Sequence, residues 1–260
     1  MSFEPLRSRA EVIKLARLLR REPGQLSYLE RLPAEDVRAL REQVTDLLFE
    51  AHDGTLQRLA TSSRLLPVGV NAMISQHAFG PMLSARISGL LGPDRAVEIA
   101  AKLPSEFLAD IAVELDPRRA SDVIARMPAE RVAEVTRELN RRDEYVTMGR
   151  FVGHLSGEAL RASVAATDDA MLLRTAFVLE ERERLDDLAE LVGEDRIVGL
   201  AKVAEREQLW PEALDLLMSL DRDRVAEGLA RMDSEQRELV ERRAREQGVE
   251  LPTVASEGAA

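Results

Sequence analysis

The chain has 260 residues, of which 45% are apolar but only 3% aromatic, so a substantial core must be filled by Leu, Val, Ile, Ala and Met. It holds no cysteine, which excludes disulfides, thiolate nucleophiles, zinc knuckles and iron–sulfur ligation. A net charge of -11 repels phosphate backbones and anionic surfaces at long range and argues against nucleic acid as a partner.

The first apolar stretch, Val12 to Leu19, is interrupted by Lys14 and Arg17 and lacks the unbroken hydrophobic run of a secretory signal. A cytoplasmic protein is expected. Ala10 to Arg21 and Ala34 to His52 read as amphipathic helices separated by Pro23-Gly24 and Leu32-Pro33, and residues 1–64 are expected to form an N-terminal helical cap.

Leu65 to Ala85 contains no Asp, Glu, Lys or Arg, although 32% of the chain is charged. Its length alone would suit a membrane span. However, Pro67, Gly69, Asn71, Gln76, His77, Gly80 and Pro81 break it into two short pieces, which favours packed central helices. A patch for an apolar ligand or a membrane surface is the alternative, with Met73, His77, Phe79 and Met82 as its candidate wall.

An internal repeat follows. Leu91, Leu103, Leu115, Met127 and Leu139 succeed one another at steps of 12, and the step returns at Leu179, Leu191 and Val203 and at Leu220 and Met232. Twelve residues hold a helix of about ten residues and a tight turn. Pro93, Pro104, Pro117 and Pro128 mark helix starts, with Asp94, Glu106 and Glu130 close behind them and Asp116 as the cap candidate before Pro117. Ala120, Val123, Ile124 and Met127 share one helical face. Helices this short are marginal alone and must stack on one another. Repeat-like helices are expected from Gly92 to Gln247, within a superhelical repeat domain over 65–247, with an irregular segment between Asn140 and Leu155.

In that segment Tyr145, Arg150 and His154 lie beside Gly149 and Gly153. The glycines would let another helix approach closely, and Arg150 with His154 four residues on is a candidate anion site. The acidic pairs Asp168-Asp169, Asp186-Asp187 and Asp221 with Asp223 lack the ligand ladder of a calcium loop and read as helix starts. Trp210, the sole tryptophan, reads as a packing residue at a helix start, and Gly248 to Ala260 as a disordered tail.

Leu103-Pro104, Ala109, Ile111, Leu115, Pro117, Ala120, Ile124, Met127-Pro128, Ala133, Val135 and Leu139 resemble the helical N-terminal domain of the MgtE magnesium transporters. The resemblance covers Leu91 to Leu155 and implies a cytoplasmic superhelix with a regulatory or scaffolding role. It does not extend to the transporters' membrane domain or to their cystathionine-synthase-type domains, so neither transport nor a magnesium ligand set carries over.

His52, His77 and His154 are far apart, and no metal-ligating spacing is present. GxxxxGK[ST], GxGxxG and GxSxG are absent, so no catalytic residue, cofactor or metal is assigned. The expected protein is an all-α superhelix, α-solenoid-like, of short stacked helices. Its expected function is that of a non-enzymatic scaffold or regulator for a protein partner; the alternative is a binder of an apolar small molecule or lipid. An enzyme would need a deep cleft with converging titratable groups. The two binding functions differ in one respect: a ligand binder requires residues 65–85 to line a cavity, whereas a scaffold needs them only buried.

Overall fold

The computed structural model describes residues 4–50, 53–192 and 194–252. Among these the chain forms seventeen α-helices joined by short 3₁₀ and π turns, with no strand. His52 and the tail from residue 253 onward lie outside the described residues.

The first helices are α1 (Glu4–Leu19), α2 (Ala34–Glu50) and α3 (Asp53–Ser63), with a 3₁₀ stretch at Pro23–Arg31 between α1 and α2. The charge-free segment becomes α4 (Val68–Ile74), a π turn (Ser75–Phe79) and α5 (Gly80–Ser88). Gly80 takes φ +70, the left-handed region that glycine enters without a Cβ penalty, and so re-aims the chain between the two helices. Then follow α6 (Pro93–Ala100), α7 (Ser105–Glu114), α8 (Ser121–Ala125) and α9 (Ala129–Arg141).

The stretch expected to be irregular holds a helix of its own, α10 (Tyr145–Phe151). The break is confined to Asp143, at φ +57, after which the apolar face of Tyr145, Met148 and Val152 suffices to dock a short helix. The remainder are α11 (Gly157–Ala165), α12 (Asp169–Phe177), α13 (Leu185–Val192), α14 (Glu194–Arg206), α15 (Trp210–Leu217), α16 (Arg222–Arg231) and α17 (Ser234–Glu246).

Helix starts obey the sequence signals. Asp94, Glu106 and Glu130 sit in first turns, and Asp116 accepts a hydrogen bond from the Arg118 N–H. Asp168 and Asp221 cap α12 and α16, and Asp233 with Gln236 forms a capping box on α17.

Most helices from α3 to α14 pack on a next-but-one neighbour: α5 on α7, α7 on α9, α9 on α11 and α11 on α13, with α4 on α6 and α6 on α8. In the C-terminal half α10 packs on α12, α12 on α14 and α14 on α16. This stacking is that of an all-helical superhelix.

The N-terminal helices divide. Helix α3 packs on α5, whereas α1 and α2 form a hairpin around Val12, Leu15 and Val37 that lies across later helices. Arg17 of α1 and Arg20 just after it pair with Glu144 and Glu114 at 2.5 and 2.9 Å, and Arg9 and Arg7 reach Glu212 and Asp215 at 3.3 and 3.4 Å.

Arginines tie the stack together. Arg131 of α9 donates to the carbonyls of Ala100 and Leu103 at the end of α6. Arg196 of α14 donates to Val164 and Thr167 at the end of α11, at 2.8 and 2.6 Å, while its Nε bonds Asp169 at 2.8 Å. The last carbonyls of a helix have no partner within it, and a planar guanidinium fork satisfies two at once, which a lysine ammonium does with far less directional control. Lys14, Lys102 and Lys202 are the only lysines among the 36 basic residues of the chain.

Candidate functional site

The inward faces of the stack do not close on one another. They enclose a cavity of about 540 Å³, partly open to solvent, to which every helix from α3 to α17 contributes. Its middle is built by the repeat. Leu91, Leu103, Leu115, Met127 and Leu139 all lie on its wall, each brought there by the same 12-residue step. Between them the wall is completed by side chains such as Ile111, Ile124, Leu160, Leu173 and Leu214.

The polar groups on this wall fall into three places. Ser63, Asn71, Ser75, Ser84 and Ser88 gather where α3, α4 and α5 meet. The Asn71 amide donates to the Ser63 carbonyl at 2.7 Å, so that amide is satisfied within the wall. Midway, the Thr136 and Ser163 hydroxyls bond each other at 3.0 Å, while Thr175 is buried and its Oγ1 has no hydrogen-bond partner among the described residues. At α13 and α16 the rim carries the exposed Glu190, Glu227 and Arg231, together with Arg224, which pairs with Asp186 at 3.7 Å.

The volume lies within the range of roughly 300–1,000 Å³ for small-molecule sites, and an apolar cavity of about 150 Å³ already holds benzene.

Of the residues singled out from sequence, Phe79 lies on the cavity wall. Met73, His77 and Met82 share its segment but are exposed on the other side. The segment is therefore two-faced: Asn71, Ala72, Ser84 and Ala85 are buried, while Leu65 is 87% exposed and Met73 55%.

Arg150 and His154 dock separately on the connection after α7. Arg150 donates to the Leu115 carbonyl at 3.2 Å, and His154 Nδ1 meets the Ser121 hydroxyl at 3.2 Å. Burial lowers the pKa of the Arg150 guanidinium against the pull of Glu180 and Asp116, with Arg41 and Arg118 lowering it further. Tyr145 is half-buried, and burial, aided by Asp143, raises its hydroxyl pKa.

Gly149 underlies this docking, since a Cβ there would meet Val178 at 2.8 Å. Trp210 begins α15, lines the cavity and donates from its indole N–H to Glu205 at 2.6 Å.

A second polar cluster lies under the α1–α2 hairpin. Lys14 is buried against Glu11, and Arg41 pairs with Glu11 at 3.2 Å and Glu180 at 2.9 Å. Burial pulls the Lys14 pKa below its ordinary value despite Glu11 and Glu180. The members pair with one another, so the cluster serves to fix the hairpin.

Among the described residues no group of three or more His, Asp or Glu side chains gathers as a metal site, and no helix is long and apolar enough to cross a membrane. No known protein family matches the chain, and no curated protein or solved structure matches it either.

Proposed function

We propose that this protein binds an elongated apolar molecule, of the kind represented by a lipid acyl chain, inside its helix stack, and that it works by binding rather than by catalysis. The carrying observation is the cavity itself: about 540 Å³, walled mainly by apolar side chains of α5 to α17, with Ser63 and Asn71 supplied by α3 and α4. A scaffold for a protein partner would leave this volume without a use. Residues 65–85 contribute Asn71, Ser75, Phe79 and Ser84 to the wall, which supports ligand binding.

The titratable groups at the cavity, Glu190, Arg224, Glu227 and Arg231, stand on its rim among exposed residues, which supports selection of a polar end group over acid–base chemistry. The proposed likeness to the MgtE helical domain rests on the residues of 91–155. Of the thirteen residues there that carry the resemblance, seven (Leu103, Ile111, Leu115, Ile124, Met127, Val135 and Leu139) line the cavity.

Native mass spectrometry of the protein purified gently from its own cells, followed by denaturation, tests this function. A retained apolar molecule of defined mass supports it. Protein recovered only as the bare chain, and failing to bind a fluorescent fatty acid in titration, overturns it.

A further inference from the structure

Between Gly54 and Pro93 the chain carries no Asp or Glu at all, and its three full charges are Arg58, Arg64 and Arg86, in a protein whose net charge is -11. This stretch covers α4, α5 and all of α3 but its first residue, Asp53, and it exposes apolar side chains: Leu65 at 87%, Met73 at 55% and Met82 at 47%. Leu47 and Leu48, at 71% and 45%, extend the patch from the end of α2, which Arg86 ties to α5 by donating to the Leu48 carbonyl at 3.2 Å.

Arg58 and Arg64 donate to backbone carbonyls, of Gly54 at 3.2 Å and Leu90 at 3.3 Å, and among the described side chains no carboxylate pairs with either. The acid nearest along α2 with a described side chain, Asp46, is engaged by Arg118 and Arg119 at 3.3 Å each.

We propose that the outer side of α3–α5 docks on an anionic lipid bilayer surface, and that the cavity takes up its apolar occupant there. The proposal rests on the cavity reading above and adds where the ligand comes from. Exposed apolar side chains interleaved with arginines, with no acid after Asp53 at the start of α3, match the acyl boundary and charged headgroups of such a surface. Net charge does not oppose this at contact. At physiological salt the screening length is about 8 Å, so the local arginines decide and the acids elsewhere in the chain are damped.

Continuity with the cavity is direct. Ser63, Asn71, Ser75, Phe79 and Ser84, on the same three elements, face the cavity while Leu65, Met73 and Met82 face outward. One layer of helix, turned at Gly80, separates the docking side from the binding side.

Sedimentation of the whole protein with phosphatidylcholine vesicles, with and without phosphatidylglycerol, tests the docking surface. The expected result is binding at least roughly tenfold stronger when phosphatidylglycerol is present, weakened by salt. It should be lost in Met73→Glu with Met82→Glu, and equally in Arg58→Glu with Arg64→Glu.

Those variants change exposed positions, and each should still bind the fluorescent fatty acid in solution as the parent does. Equal binding to both vesicle types, binding untouched by either pair of substitutions, or a dimer that Met73→Glu with Met82→Glu dissociates in the absence of vesicle binding overturns the proposal. Failure of the cavity reading is seen separately, as vesicle binding that persists in a protein unable to hold the fatty acid.

Discussion

Gly149 of α10 lies directly against Val178 at the end of α12: a Cβ on the glycine would stand 2.8 Å from Val178 Cγ2 and 3.1 Å from the Thr175 carbonyl oxygen. One of these neighbours is backbone and cannot rotate away. Gly149→Ala should therefore cost about 1–3 kcal/mol through overpacking, read as a lower midpoint in thermal unfolding. An unchanged midpoint would show that α10 and α12 part freely.

Arg196 offers a test of the arginine ties. Arg196→Lys keeps the charge but gives up the fork that spans the Val164 and Thr167 carbonyls and Asp169, and should destabilise by about 1–3 kcal/mol in urea unfolding. The same exchange at the exposed Arg161 should stay within about 0.5 kcal/mol. Equal effects at the two positions would refute a specific role for the fork.

Asp168 links stability to pH. Burial works to raise its pKa, but the Met171 N–H and the Asn140 amide hold it below the ordinary 3.8. With the folded value depressed, its stabilisation is complete above the unfolded value and is lost as pH falls through the folded one. Asp168→Asn retains a capping oxygen without the ionisation. The parent should be more stable than this variant at neutral pH, and the gap should shrink in urea titrations taken progressively below pH 3.8. A gap that is constant with pH would remove Asp168 from the acid response.

Filling the cavity should separate stability from binding. Ala112 and Ala176 are small wall residues on α7 and α12. Ala112→Leu and Ala176→Leu each add three carbons to the cavity, so the ligand-free protein should unfold at a higher temperature while fatty-acid binding weakens. A drop in both stability and binding would mean that the wall there is already packed.

The all-helical stack is legible in the sequence because one large apolar residue per unit must point inward, and a step of 12 from Leu91 to Leu139 records that requirement. The cavity is not legible for the same reason. A wall and a core call for the same residues, and periodicity reports which way Leu115 faces but not whether anything meets it. The arginine ties escape sequence reading as well, since the partners of Arg131 and Arg196 are carbonyls some thirty residues away, which no side-chain pattern encodes.

The charge-free segment shows a third limit. Lack of charge from Leu65 to Ala85 is compatible with burial on every side, yet Met73 and Met82 are exposed: α4 packs on α6 and α5 lies between α3 and α7, and none of these contacts covers the two methionines.

The near-exclusive use of arginine leaves the folded protein almost blank to amine chemistry. Lys14 is sealed beneath the α1–α2 hairpin, while Lys102, just past α6, and Lys202, within α14, are exposed. An acylating or cross-linking reagent therefore meets two lysine side chains, one in each half of the stack. A distance restraint between them reports how tightly the superhelix is wound, and reactivity appearing at Lys14 signals that the hairpin has lifted off.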